Sequence, residues 1–222
     1  SPQLQSSAAS DVYKRQESEF PLYPFLVSRL YSLIGVEEWL GRGLSVLCSA
    51  LTIWLMMRLG RRWFSPEAGW WAGMAFAIAP LGVYYGRAFQ AEALLVLCAA
   101  GALEAHSIWV ERRKAWAVSL SWICFSTAAL IKVIPLLWLG LPLLLVQLTP
   151  SPLAKAESPQ QILKRLLHLT LNPWFWVYAS TALAVTSAWY LHAYQLGEAS
   201  GLTFGFWGCL LYTSPSPRDR VL

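Results

Sequence analysis

Charge is what this 222-residue sequence has least of. Only 13% of its residues are Asp, Glu, Lys or Arg, about half the share of a water-soluble domain. So little polar surface excludes an ordinary soluble enzyme. Histidine is scarce as well, with 3 in the chain. Of the 4 cysteines, Cys48, Cys98 and Cys124 stand singly inside apolar runs. They read as small buried hydrophobes and form no redox or metal-ligand pattern. There is no Walker loop, no GxGxxG, no HExxH and no GxSxG, so ATP-driven chemistry is not indicated. No internal repeat and no pair of interrupted apolar segments suggests a transporter built from inverted repeats.

Apolar residues fill the space that charge leaves. They make up 56% of the chain, and the mean hydropathy is +0.45. Thirteen tryptophans and nine tyrosines suit a protein that meets the lipid–water boundary, where one edge of the ring stays wet. A spanning helix needs about 20 mainly apolar residues. Windows of that kind predict spans at residues 40–57, 68–86, 93–110, 115–131, 133–148 and 173–195. Residues 21–34 are shorter and amphipathic and end at Gly35, so they predict an interfacial helix. The expected fold class is all-α, a polytopic transmembrane helical bundle.

The two ends have a different origin. Residues 11–16 (DVYKRQ) and 209–214 (CLLYTS) can be encoded by one DNA element and its reverse complement. Residues 1–16 and 209–222 therefore resemble translated transposase-adapter sequence and are set aside. The expected partial transmembrane domain is residues 17–208, cut at both ends. Removing four basic residues (Lys14, Arg15, Arg218, Arg220) and two acidic ones (Asp11, Asp219) takes the net charge from +5 to +3. That balance is no argument for nucleic acid.

The remaining cations are not spread evenly. Arg58, Arg61 and Arg62 follow the first span; Arg112, Arg113 and Lys114 follow the third; Lys155, Lys164 and Arg165 follow the fifth. Alternate connections are thus basic, which predicts that they face the cytoplasm. Residues 149–161 (TPSPLAKAESPQQ) read as a cytoplasmic loop. The opposite connections carry Glu37, Glu38, Arg87, Glu92, Lys132 and Glu198, and are expected outside. The location this implies is multi-pass in a bacterial inner (plasma) membrane.

Chemistry concentrates in one outer connection, Tyr84-Tyr85-Gly86-Arg87-Ala88-Phe89-Gln90-Ala91-Glu92. Ionisable groups at membrane depth are costly and mark a cavity or a partner. Arg87 could hold a phosphate through its planar fork. Glu92 could accept a hydroxyl hydrogen bond, coordinate a cation or simply pair with Arg87. Lys132, in AALIKVIPLL, could bind a phosphate as a point charge or snorkel to the headgroups. Glu19 is a loop acid or a substrate contact. His192 either belongs to the aromatic belt or touches substrate. Glu104 and His106 are expected to make buried structural hydrogen bonds.

Several of these features together resemble a known family. Pro21-Leu22-Tyr23, Gly35, Glu37-Glu38, Arg42, Arg61-Arg62, the Tyr84–Glu92 stretch, Lys132 and the ending WYLHAYQLGEASGLTFGFWG are similar to bacterial relatives of dolichyl-phosphate-mannose–protein mannosyltransferases. These form glycosyltransferase family 39, of the GT-C type, with the aminoarabinose transferase of lipid A as a distant member. The resemblance implies transfer of a sugar from a polyprenyl-phosphate donor to a hydroxyl acceptor (protein, lipid or glycan) on the outer face. It implies substrate-binding roles for Glu19, Tyr85, Arg87, Gln90, Glu92, Lys132 and His192. It also implies an aspartate general base in a loop ahead of residue 17, so this fragment is expected to be inactive alone. No metal ligand is assigned; a divalent ion at Glu92 is the one cofactor left open. The competing expectations are a transporter or flippase without transferase chemistry, and a non-catalytic membrane scaffold.

Overall fold

The computed structural model describes residues 20–148 and 173–199, with Lys164, Leu167 and Leu171 between them. The described residues form helices and no strand. In chain order these are α1 (Leu22–Ile34), α2 (Glu38–Trp63), α3 (Pro66–Ile78), α4 (Pro80–Arg87), α5 (Glu92–Arg112), α6 (Ala115–Ile131), α7 (Pro135–Trp138), α8 (Gly140–Leu148) and α9 (Pro173–Ala199). The chain divides into two compact units. One is Pro21–Thr186; the other includes Phe20 and the end of α9 from Ser187 onward. Residues 1–19, residues 200–222 and most of the expected loop at 149–161 lie outside the described residues.

The helices are apolar on the outside and small-residue on the inside. On α2 the buried face carries Gly41, Ser45, Cys48 and Thr52, while Val46, Leu47, Leu51 and Trp54 are exposed. On α6, Ala117, Ser121, Ala128 and Ala129 are buried, and Trp116, Leu120 and Ile123 face out. Water would reject such a surface, but lipid does not distinguish it from a core. Small inner residues let backbones approach where lipid offers no hydrophobic drive. The protein is therefore an all-α membrane protein. Both α2, from Trp39, and α5 are long and apolar enough to cross a bilayer; α5, with 21 residues, is about 32 Å long.

Two expected spans are broken by proline. Residues 68–86 form α3 and α4 rather than one helix. Pro80 has no N–H to donate and is the first residue of α4, while Ala79 leaves the helical region with ψ 127°, as residues before proline do. Residues 133–148 divide into α7, opening on Pro135, and α8, with the break at Leu139; Pro142 in α8 has no N–H to give the Trp138 carbonyl across it. Periodicity of apolar residues does not reveal such breaks, because both halves are apolar all round.

Close packing fixes the order of the pieces. α3 returns along α2 at backbone contact: a Cβ on Gly60 would lie 2.7 Å from the Gly69 Cα. Ser65 caps α3 by accepting the Ala68 N–H at 3.1 Å. At one end of the Pro21–Thr186 unit, Tyr23, Val27, Cys48, Ala93, Leu94 and Ile131 form one buried cluster. It ties α1, α2, α5 and the end of α6 together. A second cluster joins Ala99 and Ala102 to Phe125, Ala128, Leu139, Leu143 and Ala182.

Candidate functional site

The connection at residues 88–91 is welded to α1 and α2. The single Tyr23 hydroxyl proton is shared between the Gly41 carbonyl at 2.8 Å and Ser45 Oγ at 2.6 Å. Ser45 Oγ donates in turn to the Ala88 carbonyl at 2.8 Å. Burial raises the Tyr23 pKa above the ordinary tyrosine value, so the hydroxyl stays a donor. The Phe89 ring sits edge-on to Tyr23, with centroids 5.6 Å apart. It occupies the space a side chain on Gly41 would need. Gly86 likewise leaves room for Ser49, whose Oγ would be 2.7 Å from a Cβ there. The turn that carries the polar residues is thus held from below by four contacts.

On that support, Lys132 Nζ donates to Glu92 Oε1 at 2.7 Å. Glu92 opens α5 and Lys132 follows α6, so 40 residues of chain separate the partners. Both are half-buried. Glu92 is stabilised in the first turn of its helix by the positive end of the macrodipole. The sequence left Arg87 open as the partner of Glu92; the partner is Lys132. Arg87 ends α4 with its side chain exposed and makes no ion pair among the described residues. Glu92 lies five positions further on, a reach of no more than about 17 Å. Tyr85 and Gln90 are exposed in the same stretch, with Tyr85 4 residues before the Phe89 wedge. One end of the unit therefore collects Tyr85, Arg87, Gln90, Glu92 and Lys132. Glu19 lies outside the described residues. His192 lies in the other unit, exposed and 6.1 Å from the Trp189 ring.

The opposite end has its own charges. Glu104, buried in α5, accepts from Arg58 Nε at 2.9 Å and from Arg62 at 2.9 and 3.3 Å. Arg62 also bridges to Glu111 at 2.5 Å. Two cations meet two carboxylates, so the cluster is charge-balanced. Arg58 and Arg62 are one turn apart on α2, and Glu104 and Glu111 two turns apart on α5, which puts each pair on one face. Trp63 Nε1 donates to Ser107 Oγ at 3.1 Å beside them. Glu104 was legible as a buried structural residue. His106 was expected to hydrogen-bond and does not: both ring nitrogens are buried without a partner.

Tyr23, Gly41 and Ser45 were not singled out in the sequence as parts of one support. The available signal was the recurrence of small residues at Gly41, Ser45 and Ser49, one turn apart on α2. Among the described residues no group of three or more His, Cys, Asp or Glu side chains converges as a metal site would require.

A lipid-facing helical bundle, with an ion pair at the end that also carries Arg87, defines a class: an all-α membrane protein whose charged groups gather at its ends. The profile of the dolichyl-phosphate-mannose-protein mannosyltransferases matches residues 18–192. The chain belongs to that family, and is a membrane glycosyltransferase of the mannosyltransferase-like kind. No curated protein and no solved structure matches it.

Proposed function

We propose that this chain belongs to a multi-pass enzyme of a bacterial inner membrane. The enzyme moves a sugar from a polyprenyl-phosphate donor to a hydroxyl acceptor at the outer face. The observation that carries the reading is the meeting of Glu92 and Lys132 beside the turn that holds Arg87. A lipid-linked donor keeps its phosphate at headgroup depth, so its site must offer cations there. Arg87 has no carboxylate on it among the described residues, and its fork matches two phosphate oxygens.

In the transfer, the acceptor hydroxyl gives its proton to a carboxylate base outside the described residues, and its oxygen bonds to the sugar's anomeric carbon. The bond from that carbon to the phosphate oxygen breaks, and its electron pair leaves with the phosphate. Arg87 stabilises the charge that develops there, with Lys132 as a second positive centre. Glu92 holds Lys132 in register and, with Gln90, orients a sugar or acceptor hydroxyl. We assign Glu92 to positioning because Lys132 already engages it.

The test is transfer of labelled sugar from a polyprenyl-phosphate donor by membranes containing the intact enzyme. Arg87→Ala is expected to abolish transfer while the protein still inserts and accumulates. Undiminished transfer by that variant overturns the assignment. Transport of the lipid-linked donor by the wild type without sugar transfer would favour a flippase instead.

A further inference from the structure

A cavity of about 950 Å³ opens between α5, α6, α8 and the first half of α9. It lies toward the Arg112–Lys114 end, away from the Glu92–Lys132 pair, because Trp109, Arg113 and Ala115 line it. Its wall is mostly apolar, with Trp122, Leu143 and Phe175 among the lining side chains. Two polar features interrupt that wall. His106 lines it, with both ring nitrogens closed off from the cavity and without a hydrogen-bond partner. Arg113 stands at the mouth, its guanidinium 5.0 Å over the Trp109 ring. It is held in the left-handed region at φ 51° where α5 ends.

We propose that this cavity binds an anionic glycerophospholipid, acyl chain inward and phosphate at Arg113. Two arguments converge on that occupant. Arg112, Arg113 and Lys114 are consecutive cations, and no carboxylate pairs with them among the described residues. Glu111, the nearest acid in sequence, is taken by Arg62. Basic pockets between membrane helices select anionic headgroups. The volume is at the upper end for small-ligand sites, about 300–1,000 Å³, and suits hydrocarbon. The proposal does not depend on the transferase reading, because it uses none of that site's residues.

The test is lipid titration of the purified full chain in detergent, followed by native mass spectrometry. Phosphatidylglycerol is expected to bind more tightly than phosphatidylcholine. Arg113→Gln should weaken phosphatidylglycerol about fivefold and leave phosphatidylcholine unchanged. A Cβ on Gly140, which lines the cavity, would meet nothing within 4 Å. Gly140→Trp should therefore fill the space and remove binding of both lipids, and Gly140→Leu repeats the test with a smaller plug. Glycerol phosphate alone should not compete. Equal binding of the two lipids in wild type, or retained phosphatidylglycerol binding in both Gly140 variants, overturns the proposal. So does a change of oligomeric state in those variants, which would make a second copy the occupant.

Discussion

On the proposed reading, one side chain carries most of the chemistry at the Glu92 end. Arg87 is exposed and has no ion pair among the described residues, so its replacement removes charge without stripping a buried partner. Arg87→Lys keeps the charge and loses the fork. If two phosphate oxygens are held at once, lysine restores only part of the rate, and transfer falls about tenfold or more below wild type, the cost of one charge-assisted hydrogen bond. Lysine matching arginine would show that charge alone is read. Glu104 is the opposite case. It is buried beneath two arginines, and Glu104→Gln leaves Arg58 without a carboxylate and Arg62 with Glu111 alone. Breaking a fully buried pair costs about 3–5 kcal/mol. Arg62 is 16% exposed but Arg58 is 40% exposed, so water screens part of the loss and roughly 2–3 kcal/mol is expected. The apparent melting temperature in detergent should fall by about 5 °C or more. Adding Arg58→Met should recover part of it, and no recovery would mean that Glu104 acts on Arg62 alone.

At the scale of elements, the site depends on a wedge. Phe89 fills the notch left by Gly41 and rests on Tyr23, and Ser45 holds the neighbouring Ala88 carbonyl. Gly41→Val should drive Phe89 out and shift the turn that carries Arg87 and Gln90. Transfer should drop while the helices still form. Phe89→Ala vacates the space, so the double variant should be more active than Gly41→Val alone. An additive loss would show that Gly41 and Phe89 do not act as a pair. Such a pairing was not readable in advance. Apolar windows located α2, α5 and α6 because length and hydropathy are local properties. The Tyr23–Gly41–Ser45–Ala88 chain joins positions up to 43 residues apart, and nothing local marks it beyond small residues one turn apart. The break at Pro80 was hidden for the converse reason. The proline sits in a run apolar enough to read as one helix, and its missing N–H and the extended Ala79 before it end the helix.

For the whole molecule, the contacts at the two ends fix the direction of each helix. α2 begins beside the Ala88 turn, at Gly41 and Ser45, and ends against Glu104 and Glu111. α5 begins at Glu92 and ends at Arg112, so it runs parallel to α2. α6 returns to bring Lys132 back to Glu92. The connections at 88–91 and 132–134 therefore share one end, and those at 64–65 and 113–114 share the other. Charge asymmetry in the sequence already sorted the same connections into two groups, because a bilayer penalises basic loops on the wrong side. It could not tell which charges touch, since Arg87 and Lys132 stood equally well placed for Glu92. A membrane-impermeant thiol reagent tests the sorting directly. With the native cysteines replaced, Gln90→Cys and Ile134→Cys should react from the outside of intact cells. Phe64→Cys and Lys114→Cys should react only after the membrane is opened. All four positions are exposed, so silence cannot be blamed on burial. Positions 90 and 134 reacting from different sides would be incompatible with the Glu92–Lys132 contact. Reversal of both groups together would keep the bundle and move the sugar-transfer site to the cytoplasmic face.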